Sequence, residues 1–168
     1  GRPVIAEPWV HRVLDFSTQW IITREKKIEY IGSTLCQNDE KGQYRSNRVG
    51  DECSLFQHRL PFLQEHKKAA RNILSLISES GYMGHVGIDA MIYLHLDTQT
   101  EMLHPIVEVN ARKTMGWVAI TFQNNHYPFQ QVEFCYGQHL EGLLPSWVGT
   151  QGKLFPFHRN IQIAVREL

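Results

Sequence analysis

The sequence predicts an α+β fold, mainly an antiparallel sheet with one long helix packed on it. Three stretches predict this. Residues 13–22 and 28–31 are rich in β-branched and aromatic side chains and flank a charged turn, so they form an antiparallel hairpin. Residues 86–94 and 102–110 make a second, strongly apolar pair around a polar turn at 97–101. Between the hairpins, residues 61–80 keep helical spacing. Phe62, Leu63, Ala69, Ala70, Ile73, Leu74 and Ile77 form the apolar side, and Gln64, Lys67, Lys68 and Arg71 the polar side.

Taken in order, residues 3–6 read as a short buried strand. Pro8 lacks a backbone donor and ends or bends it. The first hairpin turns at 24–27, where the lysines solvate the turn. From residue 32 to 50 the pattern fades into an irregular stretch that is either a binding loop or plain surface, with a turn at 37–42 and a polar segment carrying Arg45 and Arg48. Pro61 suits the first turn of the helix and Gly81 its stop. His58 and His66 read as surface histidines. Residues 117–122 form a strand or, as we favour, the start of a helix, and 124–128 a turn. The tail alternates short apolar runs with glycines and prolines and ends in a strand-like run at 161–165.

The chain has 168 residues, enough for one domain with a real core. Lys plus Arg equals Asp plus Glu at 17 each, so no net field draws in nucleic acid or an anionic membrane. No apolar run approaches the ~20 residues of a membrane span. Cys36, Cys53 and Cys135 are widely spaced with no C-x-x-C pair, which fits a reduced, cytoplasmic setting. The chain enters apolar sequence without a Met or a lead-in, as a piece of a longer protein would, with Gly1 as a cloning remnant.

The chemistry concentrates in the second hairpin. Alternation along 106–112 puts Glu108, Asn110 and Arg112 on one face. A carboxylate, an amide oxygen and a guanidinium together suit a hard cation with phosphate oxygens beside it. A solvated polar face is the plain alternative. Asp89 lies inside the other apolar strand, where an ionised group needs a partner or a metal. If the hairpin register sets Asp89 opposite Glu108, two carboxylates and Asn110 share one face, and a divalent cation or a shared proton must relieve the repulsion.

In order and in motif, residues 3–120 resemble the C-terminal half of the ATP-grasp fold, the superfamily of carboxylate–amine ligases. Glu7-Pro8-Trp9-Val10 resembles the hinge on which adenine lies, residues 86–89 the strand with the first metal carboxylate, and Glu108-x-Asn110-x-Arg112 the strand with two further metal ligands and an arginine. The resemblance implies ATP and Mg²⁺ (or Mn²⁺) as cofactors. It implies that Glu7 and Val10 hydrogen-bond adenine, with Trp9 as packing, and that Asp15 accepts from ribose hydroxyls. Asp89, Glu108 and Asn110 would hold Mg²⁺. Arg112 would stabilise the transferring phosphoryl group, and Lys113 and Thr114 would lie near the acyl substrate. The implied partners are ATP, a small carboxylate and an amine or thiol, with oligomeric state left open. The spacing from Asp89 to Glu108 exceeds the family's and requires a longer hairpin. The family's phosphate-binding lysines precede the hinge, so the chain is expected to be a partial ATP-grasp domain over 1–168, its upstream half absent, and inactive alone. Two rivals stand beside this reading. One is a metal-dependent hydrolase using Asp89, Glu108 and one of His85, His104 and His126. The other is a non-catalytic nucleotide-binding relic using Trp9, Trp117, Tyr127 and Trp147.

Overall fold

The computed structural model describes residues 4, 9–38, 44–137, 152–158 and 161–168. The strand expected at 3–6 lies largely outside the described residues. Val4, which is described, is 89% exposed and in no strand.

The first hairpin is β1 (His11–Ile22) and β2 (Ile28–Asn38), antiparallel about a turn closed by Lys26 N–H to Thr23 O at 3.0 Å. The irregular stretch expected over 32–50 is corrected here. β2 runs on to Asn38, and Tyr44–Val49 is a further strand, β3. β3 escapes an apolar pattern because two of its three buried residues are polar. Ser46 and Asn47 are buried, with Ser46 donating to Glu133 and Asn47 to the Tyr44 hydroxyl at 2.9 Å.

A short helix, α1 (Glu52–Phe56), leads through a 3-10 turn into α2 (Leu60–Glu79). Pro61 sits in the first turn of α2. Gly81, at φ +92°, closes α2: its N–H reaches Ser78 O at 3.0 Å, and Tyr82 N–H reaches Ile77 O at 3.3 Å. This pair of bonds needs a left-handed residue, and glycine supplies it without strain.

β4 (Gly84–Leu94) and β5 (Glu101–Asn110) make the second hairpin. Thr114 then caps α3 (Met115–His126), which settles the strand-or-helix choice for 117–122 and carries the helix into the turn expected at 124–128. The tail adds β6 (Val132–Gly137), β7 (Gly152–His158) and β8 (Ile161–Glu167), of which only β8 reads from the sequence as a strand-like run.

All strands join one antiparallel sheet in the order β5-β4-β1-β2-β3-β6-β8-β7. Successive side chains on a strand point to opposite faces, so β1 serves both layers. Phe16, Trp20 and Ile22 face α2 and pack with Leu63, Ala70, Leu74, Ile88 and Ile92. Asp15, Ser17 and Gln19 face the other side, where the start of α3 lies. Further along, Ala119 and Ile120 of α3 pack with Val49, Phe134 and Val165.

His66, a surface histidine by its sequence context, is in fact 0% exposed. One ring nitrogen lies 2.7 Å from Thr18 Oγ1 and the other 2.6 Å from Pro105 O. Pro105 lies in a bulge where residues 105–107 face Ala90 alone, between the pairs Asp89–Glu108 and Met91–His104. Proline has no N–H for the ladder, and a bulge accommodates that. His66 satisfies the carbonyl that the bulge leaves over.

Candidate functional site

The face opposite α2 carries the polar row anticipated from the sequence. Asp89 of β4 is paired directly with Ser17 of β1 on one side and Glu108 of β5 on the other. Gly87 is likewise flanked by Gln19 and Asn110. The longer hairpin therefore aligns the two carboxylates, with the bulge at Pro105 taking up the extra length.

Asn110 is buried and donates from Nδ2 to Asp89 Oδ2 at 3.2 Å. Its Oδ1 accepts from Arg112 Nη2 at 3.0 Å. The Arg112 N–H also turns back to Asn110 O at 2.7 Å. Glu108 and Arg112 are exposed while Asp89 is half-buried, so the row opens to solvent. Burial pushes the Asp89 carboxyl above the usual carboxylate range, and the Glu108 charge adds to this. The Ser17 hydroxyl and Arg112 pull it back in part.

Two adjacent carboxylates with an amide oxygen form an all-oxygen donor set whose mutual repulsion a small divalent cation would relieve. The residues present therefore fit Mg²⁺. Asn110 Oδ1 has two lone pairs, and the Arg112 bond leaves one of them for a cation.

Beside the start of β1 lies a cleft of about 710 Å³ lined by Trp9, Val10, Arg12, Asp15, Asn38 and Arg48, among others. Val10 and Asp15 thus share one cavity, and Glu7 lies outside the described residues. The Asp15 carboxylate accepts from Asn38 Nδ2 at 2.7 Å and from Arg12 Nη1 at 3.2 Å, so a ribose would compete for it. Trp9, expected as packing, is 81% exposed beneath the Arg12 guanidinium, 5.5 Å from its ring centroid. Cys36 pairs with Asp15 across β1 and β2. Burial, with Asp89 and Asp15 nearby, pushes its thiol up to about 12, which keeps it protonated and unreactive.

The histidines of the hydrolase reading do not join the carboxylates. His85 meets Trp117 edge-on with centroids 5.0 Å apart, His104 pairs with Met91, and His126 lies against Phe122 at a tilt. Among the described residues, no group of three or more His, Cys, Asp or Glu side chains converges as a metal site. Of the aromatics in the relic reading, Tyr127 is buried and Trp147 lies outside the described residues.

Sequence reasoning missed Ser17 and Gln19, and left Arg48 in a stretch read as either a binding loop or plain surface. The signal for the first two was present: Asp15, Ser17 and Gln19 alternate with Phe16, Thr18 and Trp20, a polar period of two inside an apolar strand.

No family model and no curated protein matches the chain. Solved structures do. The chain is similar to N5-carboxyaminoimidazole ribonucleotide synthetase from Thermus thermophilus, at 12% identity and a TM-score of 0.53, over 95% of this chain and 47% of that one. It is similar to biotin carboxylase from Campylobacter jejuni, crystallised as a β,γ-ATP complex, at 12% identity and a TM-score of 0.56, over 96% of this chain and 43% of that one. It is also similar to pyruvate carboxylase from Rhizobium etli, at 9% identity and a TM-score of 0.57, over 96% of this chain and 19% of that one. These are ATP-grasp proteins, and at such identities the likeness establishes the fold. The chain spans less than half the length of each.

Proposed function

We propose that this chain, which has the fold of the C-terminal part of an ATP-grasp protein, is the metal- and nucleotide-binding portion of an ATP- and Mg²⁺-dependent ligase. The ligase activates a carboxylate as an acyl phosphate for attack by an amine or thiol. A carboxylate is a poor electrophile with a poor leaving group; phosphorylation corrects both. The single observation that carries this reading is the alignment of Asp89, Glu108, Asn110 and Arg112 on one open face beside the hinge cleft.

In this reading, Glu7 and Val10 hold adenine and Asp15 the ribose. Asp89, Glu108 and Asn110 hold Mg²⁺, or Mn²⁺ in its place. The cation, when bound, neutralises phosphate charge. Arg112 stabilises the charge that develops on the transferring phosphoryl group. Positioning and electrostatics then supply most of the catalysis, as is usual for phosphoryl transfer. The phosphate-binding lysines that the resemblance puts before the hinge are not in this chain, so the chain alone is expected to turn over little or no substrate.

The test is calorimetry of the intact protein and of this chain with a non-hydrolysable ATP analogue and Mg²⁺, with Asp89→Ala/Glu108→Ala as control. Metal-dependent binding by the intact protein, lost in the control and weak in the short chain, supports the reading. No binding by the intact protein with any metal overturns it. Binding without turnover against every carboxylate and amine tried would favour the relic.

A further inference from the structure

The segment that carries Arg112 is a four-residue connection, 111–114, between β5 and α3, and residues 111–113 are exposed. Its first half is tied to Asn110 by the two Arg112 bonds described above. Its second half is tied by Thr114. The Thr114 hydroxyl donates to Gln19 Oε1 at 2.7 Å and accepts from Trp117 N–H at 3.4 Å as the cap of α3.

Gln19 is 1% exposed, and its amide is used at both ends. Oε1 takes the Thr114 hydroxyl, and Nε2 donates to Ser17 Oγ at 2.8 Å. Ser17 is the residue directly across from Asp89. Two glycines make room for this link. A Cβ on Gly87 would come 2.5 Å from Thr114 Cγ2, and one on Gly116 would come 2.8 Å from Gln19 Nε2. Neither glycine has positive φ, so their role here is close approach rather than backbone freedom. The sheet floor and the first turn of α3 are pressed together around one buried amide, and buried hydrogen bonds of this kind hold the groups they join in place.

We infer that Gln19 is a positioning residue for Arg112: its amide joins the Thr114 cap to Ser17 beside Asp89, so that the arginine-bearing connection and the carboxylate row are held as one unit. This rests on the ligase reading above. Gln19 touches neither the phosphates nor the cation in that reading; it acts through Thr114. A short connection anchored at both ends loses little freedom when Arg112 engages a phosphate, and one anchored at a single end loses more.

The experiment is a double-mutant cycle in the intact protein, read by calorimetry with Mg²⁺ and a non-hydrolysable ATP analogue. Arg112→Ala should weaken binding by about tenfold or more, the size of a lost charge-assisted contact. Gln19→Leu and Thr114→Val should each weaken it by roughly three- to tenfold, the size of a lost ordering effect. Thr114→Ser, which keeps the hydroxyl, should bind as the wild type does. The deciding result is non-additivity: Gln19→Leu and Thr114→Val should add nothing to Arg112→Ala. Hydrogen exchange should be faster at 111–117 in both variants and unchanged in β4. Additive losses, or wild-type binding by Thr114→Val, would overturn the inference and leave the ligase reading intact. Thr114→Val removes one hydroxyl and keeps the side-chain shape, so it decides the matter if Gln19→Leu does not fold. An intact wild type that binds no Mg²⁺-nucleotide overturns both.

Discussion

Asp89 of β4 and Glu108 of β5 stand directly across from each other, two carboxylates on one face of the sheet. Burial and the Glu108 charge hold Asp89 above the usual carboxylate range. The folded chain therefore binds that proton more tightly than the unfolded chain does, and stability falls as pH rises through and above the ordinary Asp range. Asp89→Asn should stabilise the ligand-free chain at pH 7, by on the order of 1 kcal/mol. It should also flatten the decline in stability that sets in as pH rises above about 4. Urea denaturation across that range measures both, and a destabilised variant would show that Ser17 and Arg112 already compensate the charge.

Glu108 is exposed, so its loss should barely touch the fold. Glu108→Ala should leave unfolding stability within about 0.5 kcal/mol of the wild type, while abolishing Mg²⁺-nucleotide turnover in the intact protein. A thermal melt paired with ADP release tests this, and unchanged turnover removes Glu108 from the metal site.

His66 works in the opposite sense to Asp89. Burial lowers its pKa, with the Pro105 carbonyl opposing and Lys67 assisting. Its folded-state pKa lies below the unfolded value, so the unfolded chain takes up the proton first and stability is lost as pH falls below about 6.5. The wild type should lose up to about 1.4 kcal/mol per pH unit there relative to His66→Gln. Denaturation midpoints of the two proteins at pH 7 and pH 5 give the difference. Parallel slopes would mean that the ring is protonated in place.

Gly87→Ala should cost roughly 1–3 kcal/mol, as overpacking of a close contact does, because the new methyl meets Thr114 Cγ2 at 2.5 Å. Urea denaturation reads the loss. A neutral substitution would show that α3 can lift from the sheet without penalty.

The parts of the fold legible in the sequence are those whose burial is apolar. β1, β4 and α2 each bury hydrophobic side chains at the period of their backbone, and their spans, like that of β5, emerge close to those observed. β3 was not legible because it buries polar Ser46 and Asn47, and Ser46 is held by Glu133, a residue nearly ninety positions away that no local pattern announces. His66 was misread for a related reason. It continues the buried spacing of Leu63, Ala70 and Leu74, but its partners Thr18 and Pro105 come from two distant strands. The carboxylate row was legible in composition, and only the bulge at Pro105 decides that Asp89 and Glu108 share a register. Val10 and Asp15 line one cleft, while the exposure of Trp9 depends on surroundings that its local sequence does not contain.

The seam between β1 and β4 has a kinetic consequence. β1–β2 and β4–β5 are hairpins between neighbouring segments, which close early and cheaply. The β1–β4 seam joins residues far apart, Ser17 and Ile88 being 71 positions from each other, and must wait for the longer loop to close. Pairings this distant slow folding toward the millisecond-to-second range. Asp89 and Glu108 belong to one hairpin and can meet early, whereas Ser17 and Gln19 join them only when that seam closes. A half-folded chain would present the carboxylate pair without the β1 side chains that flank it.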